Sequence, residues 1–155
     1  MIKVAICDDD IQFIYKLEQS IFRFAEMKRI KVDVDGYTSG AEFIQKLQQS
    51  ERYDLLFLDI ELGDSSGIIV GNWIRSQIQY ESMQIVFVSA KEMYAMQLFD
   101  LRPMNFLVKP IQQERVDYIL DEYERLYQFQ PHIIEIGKGR NAIRIEEHSV
   151  FYLQS

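Results

Sequence analysis

The amino-acid sequence predicts an α/β domain in which helices cover both faces of a five-stranded parallel sheet. Five short runs rich in Val, Ile, Leu and Phe have the unbroken apolarity of strands that are buried on both faces. Segments whose apolar residues recur three or four positions apart, as in amphipathic helices, lie between these runs. Repeated strand–helix units need right-handed crossovers, so the sheet is predicted to be parallel and doubly wound.

The predicted elements alternate along the first 128 residues. The strands are residues 2–7, 30–34, 55–58, 85–88 and 105–108. The helical stripes contain, in order, Phe13, Leu17, Ile21 and Phe24; Phe43, Ile44 and Leu47; Ile69, Trp73 and Ile74; Tyr94 and Leu98; and Val116, Ile119, Leu120, Tyr123 and Tyr127. Asp10 is the predicted N-cap of the first helix, and Ser39 with Glu42 has the form of a capping box before the second.

A change of pattern near residue 130 predicts a domain boundary. Pro131 ends the last helix, and three short β-like runs follow at 132–136, 142–145 and 150–153, with a hairpin-like turn at 137–141. A ribbon of this size is marginal by itself in water. We therefore expect residues 1–128 to form one domain, and residues 129–155 to be a linker and a short β-ribbon tail from a truncated second domain.

Composition excludes several classes of protein. Asp and Glu outnumber Lys and Arg by 24 to 17, and no basic run is present, so we do not expect this piece alone to bind nucleic acid. The single cysteine, Cys7, cannot form an intramolecular disulfide and is predicted to be a small buried side chain. Neither a signal-peptide pattern nor an apolar run of transmembrane length is present, which predicts a cytoplasmic protein without membrane contact.

The polar residues that follow the strands are predicted to meet at one edge of the sheet. Asp8 and Asp9 follow the first strand, Asp59 the third, Ser89 the fourth and Lys109 the fifth. Three crowded carboxylates favour a hard divalent cation, for which Mg²⁺ is the expected ion and Mn²⁺ the alternative. A carboxylate nucleophile, a metal, an ammonium group and a hydroxyl together provide the groups that phosphoryl transfer requires.

At these positions the chain resembles the receiver domains of two-component response regulators. The resemblance rests on VAICDDD (4–10), DLLFLDIEL (54–62), Gly67, VFVSA (86–90) and FLVKP (106–110). It implies a CheY-like or flavodoxin-like sheet of order 2-1-3-4-5 and a phosphoacceptor signalling domain rather than an enzyme. The loop 63–67 departs from the family pattern because it lacks the usual proline and Met-Asp pair, which suggested a more mobile loop.

The resemblance also implies a role for each site residue. Asp59 would accept phosphate from a sensor histidine kinase. Asp8, Asp9 and Asp59 would hold the metal together with the backbone carbonyl of Glu61. Lys109, preceding Pro110 in a cis peptide, and Ser89 would bind the acyl phosphate.

Further implied roles concern switching and docking. Ser89 and Phe106 would form the switch, although core packing is equally compatible with Phe106. The output face, formed by the fourth and fifth helices and the fifth strand (α4-β5-α5 in the family's order), would change on phosphorylation and could form a homodimer. Ile14 and Ile111 are candidate contacts for the kinase, with core packing the alternative for Ile14.

The tail resembles the opening strands of LytTR-type DNA-binding domains. The similarity covers IIEIGKGRNAIRIEEHSVFYLQS at the end of the chain, and FDLRPMNFLVKPI (99–111) resembles receivers joined to such domains. The expected output is therefore control of transcription, with DNA bound only by a part that lies beyond residue 155.

Two other classes of protein compete with this interpretation. A haloacid-dehalogenase-type phosphatase would use Asp8 as nucleophile and Asp10 as acid and base, but Gln12 and Lys109 stand where that class needs other residues. A flavin-binding module of similar winding would need Ser, Thr and Gly after the first strand. Three aspartates there would repel the flavin phosphate.

Overall fold

The computed structural model describes residues 1–127, and it confirms the predicted sheet. Five strands pair in parallel in the order β2-β1-β3-β4-β5. They are β1 Ile2–Cys7, β2 Val32–Tyr37, β3 Leu55–Asp59, β4 Gln84–Ser89 and β5 Asn105–Val108. Strands β1 and β3 are central neighbours, so the residues that follow them emerge side by side at the carboxyl edge.

Helical segments connect the strands. They are α1 Ile11–Lys28, α2 Gly40–Gln48, α3 Gly67–Arg75, two 3₁₀ helices at Ile78–Tyr80 and Glu92–Leu101, and α4 Gln113–Tyr127. The side chain of Asp10 accepts hydrogen bonds from the backbone N–H groups of Gln12 and Phe13, and that of Ser39 accepts one from Glu42. Both predicted N-caps are therefore confirmed.

Two elements differ from the sequence prediction. Strand β2 starts at Val32 because Ile30 takes part in the cap that ends α1: Arg29 has left-handed backbone with φ of 58°, and the N–H of Ile30 donates to Ala25 O. The fourth predicted helix is the 3₁₀ helix Glu92–Leu101, whose N-cap Lys91 makes no side-chain capping bond. An apolar spacing of three or four residues fits both kinds of helix, so the pattern did not separate them.

A buried apolar core supports the carboxyl edge. All five residues of β3 are buried, and so is Cys7 at the end of β1, as predicted. Residues Met1–Tyr118 form one compact unit, and residues 119–127 continue α4. The predicted boundary near 128 and the β-ribbon tail lie outside the described residues. No helix within residues 1–127 is long and apolar enough to cross a membrane.

Candidate functional site

Three carboxylates meet at the carboxyl edge, as the sequence predicted. Asp8 and Asp9 follow β1, and Asp59 is the last residue of β3. One oxygen from each lies within 4.8 Å of the oxygens from the other two. Asp8 and Asp59 are buried while Asp9 is exposed, so the cluster opens to solvent on the Asp9 side. An all-oxygen donor set of this kind suits a hard divalent cation.

Lys109 supplies positive charge next to these carboxylates. Its Nζ lies 2.8 Å from Asp8 Oδ2 and 3.8 Å from Asp59 Oδ1. The Lys109–Pro110 peptide is cis, as the resemblance implied. The backbone N–H of Lys109 donates to Ser89 O over 2.8 Å, which ties the fifth strand to the fourth at the site. One ammonium group thus faces two buried carboxylates.

The site has more negative charge than its own side chains compensate. Asp8 Oδ1 accepts a hydrogen bond from Asp10 N over 2.8 Å, but Asp8 Oδ2 accepts none from the described residues, and its contact with Lys109 is electrostatic. Burial, and then the charge of Asp8, raise the pKa of Asp59 to about 7, against the opposing effect of Lys109. A bound cation would relieve the repulsion that remains between the carboxylates, since Lys109 supplies only one positive charge.

Ser89 and Phe106, the predicted switch residues, lie on adjacent strands. Ser89 is the last residue of β4 and is buried, and its Oγ accepts a hydrogen bond from the backbone N–H of Lys91. Phe106 pairs with Phe87 across the β4–β5 ladder and is half-buried against the core. Core packing of Phe106 is thus observed, and its switching role stays a prediction.

The loop after Asp59 is anchored at both of its ends. Asp64 accepts hydrogen bonds from the backbone N–H groups of Gly40 and Ala41 at the start of α2, which lower the pKa of Asp64. Ser66 caps α3. A Cβ on Gly67 would lie only 2.1 Å from Asp59 O, so this position admits only glycine. The loop that lacks the family's usual residues is therefore held by its own hydrogen bonds.

The structure decides two alternatives that the sequence left open. The Asp10 side chain caps α1 and does not belong to the carboxylate cluster, so it is not placed as the acid and base of a phosphatase. Ile14 is buried against β2, where its Cγ2 lies 2.6 Å from the Cβ position of Gly36, so it is a core residue and not a docking contact. Helical periodicity could not decide the place of Ile14, because it does not reveal which edge of the apolar stripe faces the sheet.

Two further features of the site were not predicted. The ring of Phe13 on α1 lies under Lys109, with Nζ 4.3 Å from the ring centroid. Glu61 and Lys91, two residues after Asp59 and Ser89 respectively, form an exposed ion pair of 3.1 Å. No sequence signal pointed to the Phe13 contact, because Phe13 and Lys109 are far apart in the chain and Phe13 matched the apolar stripe of α1.

Comparison with known proteins identifies the family of this chain. The sequence profile of the response regulator receiver domain matches residues 4–121. The chain belongs to the response-regulator receiver family. This receiver is a two-component signalling domain rather than a member of a catalytic enzyme family, as the sequence predicted. The phosphatase and flavin-binding interpretations are thereby excluded.

The curated relatives are longer than this receiver. It is 29% identical over 151 residues to sensory transduction protein LytT of Bacillus cereus, which covers 97% of this chain and 58% of LytT. It is 30% identical over 126 residues to sensory transduction protein LytR of Streptococcus agalactiae, covering 81% of this chain and 49% of LytR. The chain thus spans about half the length of such relatives.

Solved structures confirm the predicted CheY-like fold of the receiver. The response regulatory domain of protein mrkE from Klebsiella pneumoniae matches with a TM-score of 0.71 at 23% identity, covering 83% of this chain and 99% of that chain. The response regulator TrrA from Thermotoga maritima, solved in complex with Mg²⁺-BeF, matches with a TM-score of 0.64 at 23% identity. The match covers 79% of this chain and 98% of the TrrA chain.

Proposed function

We propose that Asp59 is the phosphorylation site of this receiver and that the reaction depends on Mg²⁺ held by Asp8, Asp9 and Asp59. The observation that carries the proposal is the meeting of three carboxylates within 4.8 Å of one another, with Lys109 Nζ 2.8 Å from Asp8 Oδ2. The solved structure of TrrA with Mg²⁺-BeF, a receiver of the same fold, supports the choice of metal. Mn²⁺ has the same oxygen preference and could replace Mg²⁺.

The proposed transfer uses the ionised carboxylate of Asp59 as the nucleophile. A carboxylate oxygen of Asp59 forms a bond to the phosphorus of a phosphohistidine, the P–N bond breaks, and its electron pair leaves with the imidazole. The product is an acyl phosphate on Asp59. Its phosphoryl oxygens would be bound by the Lys109 ammonium and the Ser89 hydroxyl, which lie at the ends of adjacent strands.

The metal's contribution follows from the charge at the site. When bound, Mg²⁺ neutralises charge on the phosphoryl oxygens and on the three carboxylates. The backbone carbonyl of Glu61 would join Asp8, Asp9 and Asp59 as a ligand. With the cation present, the ionised form of Asp59 is favoured at neutral pH, although burial alone raises its pKa.

The proposed phosphodonor is a sensor histidine kinase, and a groove beside the site supports this partner. The groove has a volume of about 520 Å³ and runs between α1 and the segment that follows β5. Apolar and basic side chains line it, among them Phe13, Lys16, Leu17, Pro110 and Ile111. Ile111 is therefore retained as a docking contact, while Ile14 is not.

The proposed response passes from Ser89 and Phe106 to the output face. Two apolar side chains of the 3₁₀ helix on this face are strongly exposed, Met96 at 85% and Phe99 at 80%. Exposed apolar groups of this size favour a protein contact, either a second copy of the receiver or the attached output domain. The similarity to LytT and LytR supports a LytTR-type output that would bind DNA and control transcription.

Intact-mass spectrometry tests the phosphorylation site without a kinase. Incubation with acetyl phosphate and Mg²⁺ should add one phosphoryl group to the wild type and none to Asp59→Asn, and chelation with EDTA should prevent the addition. Asp33→Asn, on the exposed face of β2, is the matched control and should react like the wild type. A phosphoryl group on Asp59→Asn, or none on the wild type, would refute the proposal.

A further inference from the structure

We propose that Phe13 is a positioning residue that holds the Lys109 ammonium at the phosphorylation site, an inference that rests on the proposed role of Asp59. The contact is between elements far apart in the sequence: Phe13 lies in the first turn of α1, and Lys109 follows β5. Lys109 Nζ lies 4.3 Å from the centroid of the Phe13 ring. At this distance the cation is attracted to the negative face of the ring.

Lys109 needs such a support because its other partners change during the reaction. Its side chain is flexible, and its closest charged partner is Asp8, at 2.8 Å, rather than Asp59, at 3.8 Å. Asp8 is also a proposed metal ligand, so a bound cation competes with the ammonium for that carboxylate. The Phe13 ring is neutral and offers no donor atom to a metal, and its attraction for Lys109 therefore persists when Asp8 is engaged.

The surroundings of Phe13 are compatible with a contact to Lys109 in addition to packing. The side chain is of intermediate exposure, unlike its buried neighbours Ile14 and Leu17 on the same helix. It lines the groove beside the site together with Lys109 and Pro110. The ring therefore packs through part of its surface and meets the ammonium with its face, and an aliphatic side chain could provide only the packing.

The test measures phosphorylation of Asp59 by acetyl phosphate at a fixed Mg²⁺ concentration, since a small donor needs no docking groove. Phe13→Leu keeps an apolar side chain but removes the aromatic face, and it should slow the reaction roughly threefold to tenfold. Phe13→Tyr keeps the face and should react within about twofold of the wild type. Phe22→Leu, at an exposed phenylalanine of α1 that lies outside the groove, is the matched control and should not change the rate.

Two readouts separate positioning from a general structural effect. The Mg²⁺ affinity of Phe13→Leu should not fall below that of the wild type, because Lys109 is not a metal ligand and only competes with the cation for Asp8. In a Lys109→Gln background, Phe13→Leu should cause no further loss of rate. An unchanged rate in Phe13→Leu, an equal loss in the Lys109→Gln background, or a parallel loss of Mg²⁺ affinity would overturn the inference. If Lys109→Gln does not fold, the difference in phosphorylation rate between Phe13→Leu and Phe13→Tyr decides whether the aromatic face is needed.

A spectroscopic readout keeps this inference distinguishable from the proposed function. In the wild type without metal, NMR resonances of the Lys109 ε-methylene protons should be shifted upfield by the ring current of Phe13, and Phe13→Leu should remove the shift. Absence of the shift refutes the contact even if Asp59 is phosphorylated. A shift in a wild type that acetyl phosphate does not modify would refute the proposed function and leave the contact intact.

Discussion

Charged side chains are paired at the amino edge of the sheet and crowded with like charges at its carboxyl edge. At the amino edge, Lys3 Nζ pairs with Glu51 at 2.9 Å on the surface, and the backbone N–H of Lys3 donates to Asp54. At the carboxyl edge, three carboxylates crowd around one ammonium group, and a buried oxygen of Asp8 receives no hydrogen bond from the described residues. The charges at the amino edge are paired with one another. At the carboxyl edge, the uncompensated repulsion between carboxylates lowers the stability of the fold, and a bound cation would remove it. The comparison identifies the functional edge without reference to any relative.

The largest expected effect on stability comes from changing the backbone that shapes the carboxyl edge. In Gly67→Ala, the new Cβ would meet the backbone of Asp59 and Ile60, at 2.1 Å from Asp59 O, and backbone cannot move aside. We expect a loss of roughly 3 kcal/mol in the free energy of unfolding by urea denaturation. Gly71→Ala is the control, because its nearest neighbours are the side chains of Phe87 and Leu101 and the loss there should be clearly smaller.

A smaller effect of opposite sign is expected when one of the crowded carboxylates is removed. In EDTA, Asp9→Asn should raise the free energy of unfolding by an amount on the order of 1 kcal/mol, since it removes repulsion from Asp8 and Asp59. Asp33→Asn on β2 is the control, with no such gain. A metal-free Asp9→Asn protein less stable than the wild type would show that the cluster is not repulsive.

The pH dependence of the metal-free protein sharpens the same comparison. The pKa of Asp59 in the folded state is about 7, above the ordinary value of 3.8, mainly because of burial. The folded state therefore binds this proton more tightly than the unfolded state, and the contribution is fully present below about pH 4 and lost as the pH rises through 7. In EDTA, the free energy of unfolding should fall more steeply between about pH 4 and pH 7 for the wild type than for Asp59→Asn. Equal slopes would contradict the raised pKa.

The smallest expected effect is at the amino edge. The Lys3 side chain lowers the pKa of Glu51 through a hydrogen bond, but both groups are well exposed to solvent. Solvent screens such pairs, so Glu51→Gln should unfold at the same urea concentration as the wild type within experimental error. A clear loss of stability would mean that the amino edge also depends on its charges.

The sequence predicted the carboxyl edge well because its geometry follows from topology. Parallel strands bring their carboxyl ends to one edge, so the positions of Asp8, Asp59 and Lys109 after separate strands were enough to place them together. The N-caps Asp10 and Ser39 were predictable for a similar reason, since the chemistry of a cap is local to the chain.

What the sequence did not predict depends on contacts between distant segments or on small energy differences. The contact of Phe13 with Lys109 and the hydrogen bonds from Gly40 to Asp64 join elements whose relative placement only the fold provides. The burial of Ile14 could be known only from the orientation of α1 about its axis relative to β2. The 3₁₀ form of Glu92–Leu101 has the same apolar spacing as an α-helix.

Calorimetric titration of the metal-free chain with Mg²⁺ tests the central claim most directly, because it asks whether the crowded carboxylates form a cation site. We expect the wild type to bind one Mg²⁺, and Asp9→Asn and Asp59→Asn to bind it at least tenfold more weakly, a difference of about 1.4 kcal/mol. Asp33→Asn should bind like the wild type. A wild type that binds no Mg²⁺ at millimolar concentration, or an Asp59→Asn protein that binds it equally well, would contradict the claim.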